Sequence, residues 1–144
     1  MLPLSSIVRP HNQMPFPLDE SYILAAEQAL GASLPPKYRA MLARRNGGEI
    51  EAEYDTWQLH PLEDRSDRKR LARSASHVLR ETEQARKWPK FPADVIAIAS
   101  NGTGDLLVLK QQDGAFSEAV YLWSHETGAL LQVAGSIDEL AAAK

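Results

Sequence analysis

The chain of 144 residues contains no cysteine. That excludes disulfides, thiol catalysis and cysteine-rich zinc sites together. No apolar run approaches the roughly 20 residues that a membrane-spanning helix needs. The N-terminus, Met-Leu-Pro-Leu-Ser-Ser-Ile-Val-Arg-Pro, lacks the basic head and the continuous apolar stretch of a signal peptide, so the expected compartment is the cytoplasm. Internal repeats and low-complexity segments are missing. The histidines are few, and His11, His60, His77 and His125 fall at no metal-ligand spacing. His125-Glu126 opens like a zinc-protease helix, but Ala129 stands where the second histidine is needed. There is no Gly-x-Ser-x-Gly elbow and no serine in a triad-like setting. Nothing brings a chosen pair of carboxylates together for glycoside chemistry. The expectation is a chain with no catalytic centre, no cofactor and no metal.

What is present is an ordinary globular composition, 44% hydrophobic and 24% charged, long enough for one well-buried core. The net charge of −3 is unevenly spread. Residues 1–64 carry −4, residues 65–90 carry +6, and residues 91–144 carry −5. An acidic body with one basic segment can steer a charged partner.

The organising stretch runs from Val95 to Lys110. Two apolar runs, Val-Ile-Ala-Ile-Ala-Ser and Leu-Leu-Val-Leu-Lys, flank Asn101-Gly-Thr-Gly-Asp105, which reads as a β-hairpin. Both runs are apolar at successive positions, so each strand is expected to be covered on both faces. Gly102 and Gly104 supply permissive backbone, and Asp105 is expected to accept turn N–H bonds. Gly102-Thr-Gly104 begins like a dinucleotide fingerprint. It fails because Leu107 takes the third glycine position and a strand follows where a phosphate-holding helix is required.

Residues 1–18 hold four prolines and read as an extended, partly mobile arm before a single domain at 19–144. Asp19 to Leu30 reads as a helix stopped by Gly31. Leu34-Pro35-Pro36 opens a second, which Asn46-Gly47-Gly48 should end in a left-handed cap. Glu49 to Tyr54 alternates as a strand, with Ile50, Ala52 and Tyr54 inward. Glu49, Glu51 and Glu53 then lie outward at intervals of roughly 6.5–7 Å, with Asp55 at the turn. Thr56 to Leu62 is the partner strand. One helix is expected from Ser66 to about Lys87, burying Leu71, Ala75, Val78, Leu79 and Thr82. A loop follows at 111–118, then strands at Val120–Ser124 and Leu130–Ala134. Ser136-Ile-Asp-Glu139 has the pattern of a capping box opening a short closing helix to Ala143. The class is α+β: a mostly antiparallel sheet with an N-terminal helix pair, one middle helix and a short C-terminal helix. Trp57, Trp88 and Trp123 read as core or core-edge residues.

Two surfaces remain. The row Glu49, Glu51, Glu53 and Asp55 is the candidate partner-binding site. It reads equally as a charged face that deters edge pairing or as a docking surface for a basic partner. The basic residues Arg68, Lys69 and Arg73 form a candidate secondary interface. They are read as a solvated helix face in preference to a phosphate site, because no aromatic interleaving or groove-reading motif accompanies them.

Leu34-Pro-Pro-Lys-Tyr38 leading to Arg45-Asn-Gly-Gly48, Ile96-Ala-Ile-Ala99 leading to Gly104-Asp105, Val120-Tyr-Leu-Trp-Ser-His-Glu-Thr-Gly128, and Ala134-Gly-Ser136 occur in that order. Together they resemble the SUKH superfamily, which includes fungal cell-wall-assembly regulators and many bacterial immunity proteins. The resemblance gives Asn46, Gly47, Gly48, Gly104, Asp105, Trp123 and Ser136 as motif residues, to which the hairpin turn adds Gly102. It implies a non-enzymatic protein-binding domain that neutralises a cognate toxin, often a nuclease, by covering its active face. A regulatory scaffold of the fungal type is the alternative, and an unrecognised hydrolase a third. The sequence carries no signal for oligomeric state.

Overall fold

A computed structural model describes residues 15–142. Helix α1 (Glu20–Leu30) starts where the Asp19 carboxylate accepts the Ser21 N–H at 3.0 Å, and stops where Gly31 turns left-handed at φ 74°. Its Glu27 carboxylate accepts the Leu34 N–H at 2.7 Å and the Arg39 Nε–H at 3.1 Å, which ties it to helix α2 (Pro36–Arg44). Helix α2 has proline where no N–H is missed, and the Glu118 carboxylate accepts the Lys37 N–H at its first turn. So the N-terminal helix pair forms as its turn residues dictate.

The end of α2 differs from expectation. Arg45 is extended at φ −151°, and Asn46-Gly47-Gly48 forms no left-handed helix cap. Instead the Asn46 side chain pairs with Leu62 twice at 2.8 Å, Nδ2 donating to its carbonyl and Oδ1 accepting its N–H. Gly47 and Gly48, at φ 117° and 98°, carry the chain from there into the first strand.

Seven strands form one sheet in the order β6-β5-β4-β3-β2-β1-β7, each neighbour antiparallel. They are β1 (Gly48–Ala52), β2 (Asp55–Leu59), β3 (Val95–Ser100), β4 (Leu106–Gln112), β5 (Ala115–Trp123), β6 (Leu130–Ala134) and β7 (Ala141–Ala142). The β3–β4 hairpin lies at the centre, with Val95 to Ala99 all buried. One face packs Ile96, Ile98, Leu107 and Leu109 against Ile23, Tyr38, Leu42, Trp57 and Val78. The other packs Val95, Val108 and Trp123 under Phe91 and Tyr121. The α+β class and the two-sided central hairpin are as the sequence dictates.

Residues 111–118, expected as a loop, are mostly strand. Asp113 and Gly114, both at positive φ, turn β4 directly into β5. The middle helix is two short ones, α3 (Arg68–Arg73) and α4 (Val78–Ala85). Ser74 explains the break: buried, its Oγ donates to the Arg70 carbonyl at 2.9 Å and accepts the Asp64 N–H at 2.9 Å. The His77 ring then caps α4 by accepting the Arg80 N–H. Leu71 and Ala75 are consequently exposed, while Val78, Thr82 and Ala85 face the sheet. The closing helix is one 3-10 turn, Ile137–Glu139, after which the chain extends into β7; residues 143 and 144 lie outside the described residues.

Most of the N-terminal arm, residues 1–14, also lies outside the described residues. Its last part belongs to the domain. Leu18 is buried and donates its N–H to the Ala43 carbonyl, and the Phe16 carbonyl accepts the Asn46 N–H at 2.8 Å.

Strand β3 bulges between Ala97 and Ala99. There the Ala97 N–H is taken by the Thr82 hydroxyl at 2.9 Å, and its carbonyl faces buried His60 Nδ1 at 3.0 Å. The neutral ring can donate that proton. Burial lowers the His60 pKa below the ordinary histidine value, against a smaller upward pull from this bond and from Glu81. The unfolded chain therefore takes the proton more readily than the folded one. The stability contributed by neutral His60 is complete above about pH 6.5 and is lost as pH falls towards the depressed value. Urea midpoints between pH 7.5 and 5 should fall less steeply for His60→Asn, whose amide can offer the same N–H. Equal slopes would show that another group governs the acid limb.

Candidate protein-interaction surface

The acidic row is set by how β1 meets β2. Ile50 lies opposite Trp57 and Gly48 opposite Leu59, which turns Ile50, Ala52, Trp57 and Leu59 into the core. Glu49 and Glu51 then face outward beside Gln58 and Thr56, and all four are exposed. Trp57 locks the pair from beneath by donating Nε1–H to the Ala52 carbonyl at 2.9 Å.

The alternation stops at Ala52. Ala52 pairs with Asp55, so Glu53 and Tyr54 form a two-residue turn at φ 51° and 63°. This corrects the expected row in three places. Glu53 sits at the hairpin tip and leaves the strand face. Tyr54, expected inward, is wholly exposed. Asp55, opposite Ala52, has the parity of the inward set, where its carboxylate accepts the Asn101 amide at 2.9 Å.

Strand β1 is bonded on both sides, to β2 throughout and to β7 at Ile50 and Glu51. Its carboxylates therefore guard no free edge at those residues. Among the described residues none of Glu49, Glu51, Glu53 and Asp55 forms an ion pair. Lys and Arg are absent from Asn46 to Asp64. The patch is a concentrated negative field, bordered by Arg45, whose guanidinium donates to the Glu49 carbonyl at 3.4 Å.

The basic candidates separate. The guanidinium of Arg73 lies 4.6 Å from the Phe16 ring centre and Lys69 Nζ 5.8 Å from it. Arg70, which is not among the candidates, is closer at 4.4 Å. Arg68 makes no contact with that ring among the described residues. Helix α3 thus spends much of its charge on cation–π contacts that hold the arm. Beside it a cleft of about 410 Å3, lined by Phe16, Arg45, Gly48, Glu49, Arg70 and Arg73, joins the basic helix to the acidic strand.

The remaining motif residues are structural in geometry. Gly102 and Gly104 both have positive φ. Asp105 accepts from the neighbouring turn, not its own: its Oδ1 takes the His125 N–H at 3.0 Å and Nδ1–H at 2.7 Å. Trp123 is fully buried and donates to the Lys90 carbonyl, while half-exposed Trp88 meets Trp123 and His125 edge-on. Ser136 is buried and its hydroxyl donates to the Asp138 carboxylate. No group of three or more metal-binding side chains occurs among the described residues. Among them, too, no helix is long and apolar enough to cross a membrane.

A family model described as SMI1/KNR4 (SUKH-1) matches residues 17–142. The chain belongs to this family. Its match begins beside Phe16 and ends in β7, so the SUKH domain includes the anchored end of the arm, both helix pairs and every strand. No curated protein matches the chain. The acidic hairpin, the cleft and the basic helix are all built from the part of the chain that precedes β3.

Proposed function

We propose that this SUKH domain is a non-enzymatic, cytoplasmic protein-binding module, an immunity protein that neutralises a cognate bacterial toxin by covering its active surface. The observation that carries the reading is the acidic face of β1, where Glu49 and Glu51 stand exposed without an ion pair among the described residues and Glu51 lies where β1 is bonded on both sides. A nuclease active face must attract phosphate, so it presents the positive field that this patch complements. Such complementarity raises the association rate and disfavours wrong partners.

The test is to co-express the chain with the protein encoded by the adjacent reading frame and to measure their binding. The immunity reading expects growth rescue and a tight complex. Binding without toxicity from the neighbour would favour a regulatory scaffold of the cell-wall-assembly type. The double variant Glu49→Gln/Glu51→Gln should associate several-fold more slowly at low salt, with a flatter salt dependence. Its folding stability should stay within about 0.5 kcal/mol of the parent, since both side chains are exposed. An unchanged rate and salt slope would remove β1 from the interface.

A further inference from the structure

We infer that Tyr54 is the anchor of the interface: the β1–β2 tip inserts this ring into a Lys/Arg-lined pocket of a partner protein. The inference rests on the protein-binding reading above and adds the residue and the partner's chemistry.

Tyr54 contributes nothing visible to the fold. Its side chain is wholly in solvent, at φ 63°, beside Glu53 at φ 51°. Two-residue turns of this kind favour Asn-Gly, because non-glycine side chains crowd the backbone at positive φ. A large aromatic held there is the opposite of what folding alone would select. The tip is also braced before any partner arrives. Trp57 Nε1–H holds the Ala52 carbonyl at 2.9 Å, and the Asn101 amide holds Asp55 at 2.9 Å. A rigid aromatic loses little conformational entropy on docking, which is how tyrosines become interface hot spots.

The surroundings select the partner. Glu51, Glu53 and Asp55 flank the ring in sequence, with no Lys or Arg between Asn46 and Asp64. That field repels nucleic acid and anionic lipid and attracts cations. Guanidinium and ammonium groups satisfy both features at once, stacking on the ring and pairing with the carboxylates. The occupant is therefore a protein pocket rich in Lys or Arg.

The experiment compares the parent, Tyr54→Phe and Glu53→Asn/Tyr54→Gly as full chains. The probe is the purified polypeptide encoded by the adjacent reading frame. The Asn-Gly turn should melt several degrees higher than the parent yet bind about thirtyfold more weakly or worse, through faster dissociation. Tyr54→Phe, which keeps the ring, should stay within about threefold of the parent. An Asn-Gly turn that binds within threefold of the parent overturns the anchor and leaves the protein-binding reading standing. One that melts no higher than the parent also overturns it, because the ring is then not held against turn preference. A parent that fails to bind the probe overturns the immunity reading and this inference with it.

Discussion

Replacing Asn46 by alanine should destabilise the domain by about 2–4 kcal/mol, because one side chain satisfies both backbone groups of Leu62. Leu62 is fully buried. Without the amide, its N–H and carbonyl lose partners at 2.8 Å each, and no strand neighbour stands ready to replace them. The amide here does the work of a missing strand, joining the end of α2 to the segment that leaves β2. For a domain of this size the melting temperature should fall by roughly 8–16 °C. Amide exchange at Leu62 should accelerate alongside it. A melting temperature within about 2 °C of the parent would mean that water or a backbone shift replaces both bonds.

Gly104 is the second sensitive point, and Gly102 is its internal control. Both occupy the left-handed region, at φ 107° and 86°. A Cβ at Gly102 would meet nothing within 4 Å, whereas one at Gly104 would stand 3.0 Å from the His125 ring. That ring is held by Asp105 at 2.7 Å and backed by Trp88, so it has little room to retreat. Gly104→Val should cost about 1–3 kcal/mol from backbone strain alone, with the ring contact added. Gly102→Val should show the strain without the contact. Thermal melting reads both. Equal losses at the two positions would remove His125 from the account, and no loss at Gly104 would refute a structural role for the turn.

Much of the fold could be read from local chemistry. Gly31 ends a helix, Pro36 starts one, and Asn101 to Asp105 turns a hairpin; each acts on its immediate neighbours. Where the reading and the structure part, the cause is usually distant. Leu71, Ala75, Val78 and Thr82 have the spacing of one helix, but Ser74 is drawn away by Asp64, from outside that stretch. Ser136 to Glu139 has the letters of a helix start, yet Leu140 must extend for β7 to reach β1. Asp113-Gly114 is itself a turn signal, but the residues after it carry only a weak apolar alternation to mark the strand that follows.

The candidate site divides the same way. Period two places Glu49 and Glu51 and runs as far as Ala52. The reversal at Glu53 and Tyr54 carried no glycine or asparagine to announce it. Only the pairing of Ala52 with Asp55 puts Tyr54 outside.

The join between β7 and β1 has a consequence for cooperativity. It closes a loop of about 90 residues between Ile50 and Ala142, while β4 and β5 are joined across Asp113 and Gly114 alone. Chain entropy charges about 4 kcal/mol for a closure of that length by its length term alone. A ladder two residues long, at about 1 kcal/mol per hydrogen bond, does not offset this by itself. The meander from β2 to β6 leaves the chain at the opposite edge of the sheet, so the join exists only once the turn at Ile137–Glu139, packed against α2, has carried the chain back to β1. The acidic strand owes its second neighbour to the completed fold, so its full pairing reports that the rest of the sheet is assembled.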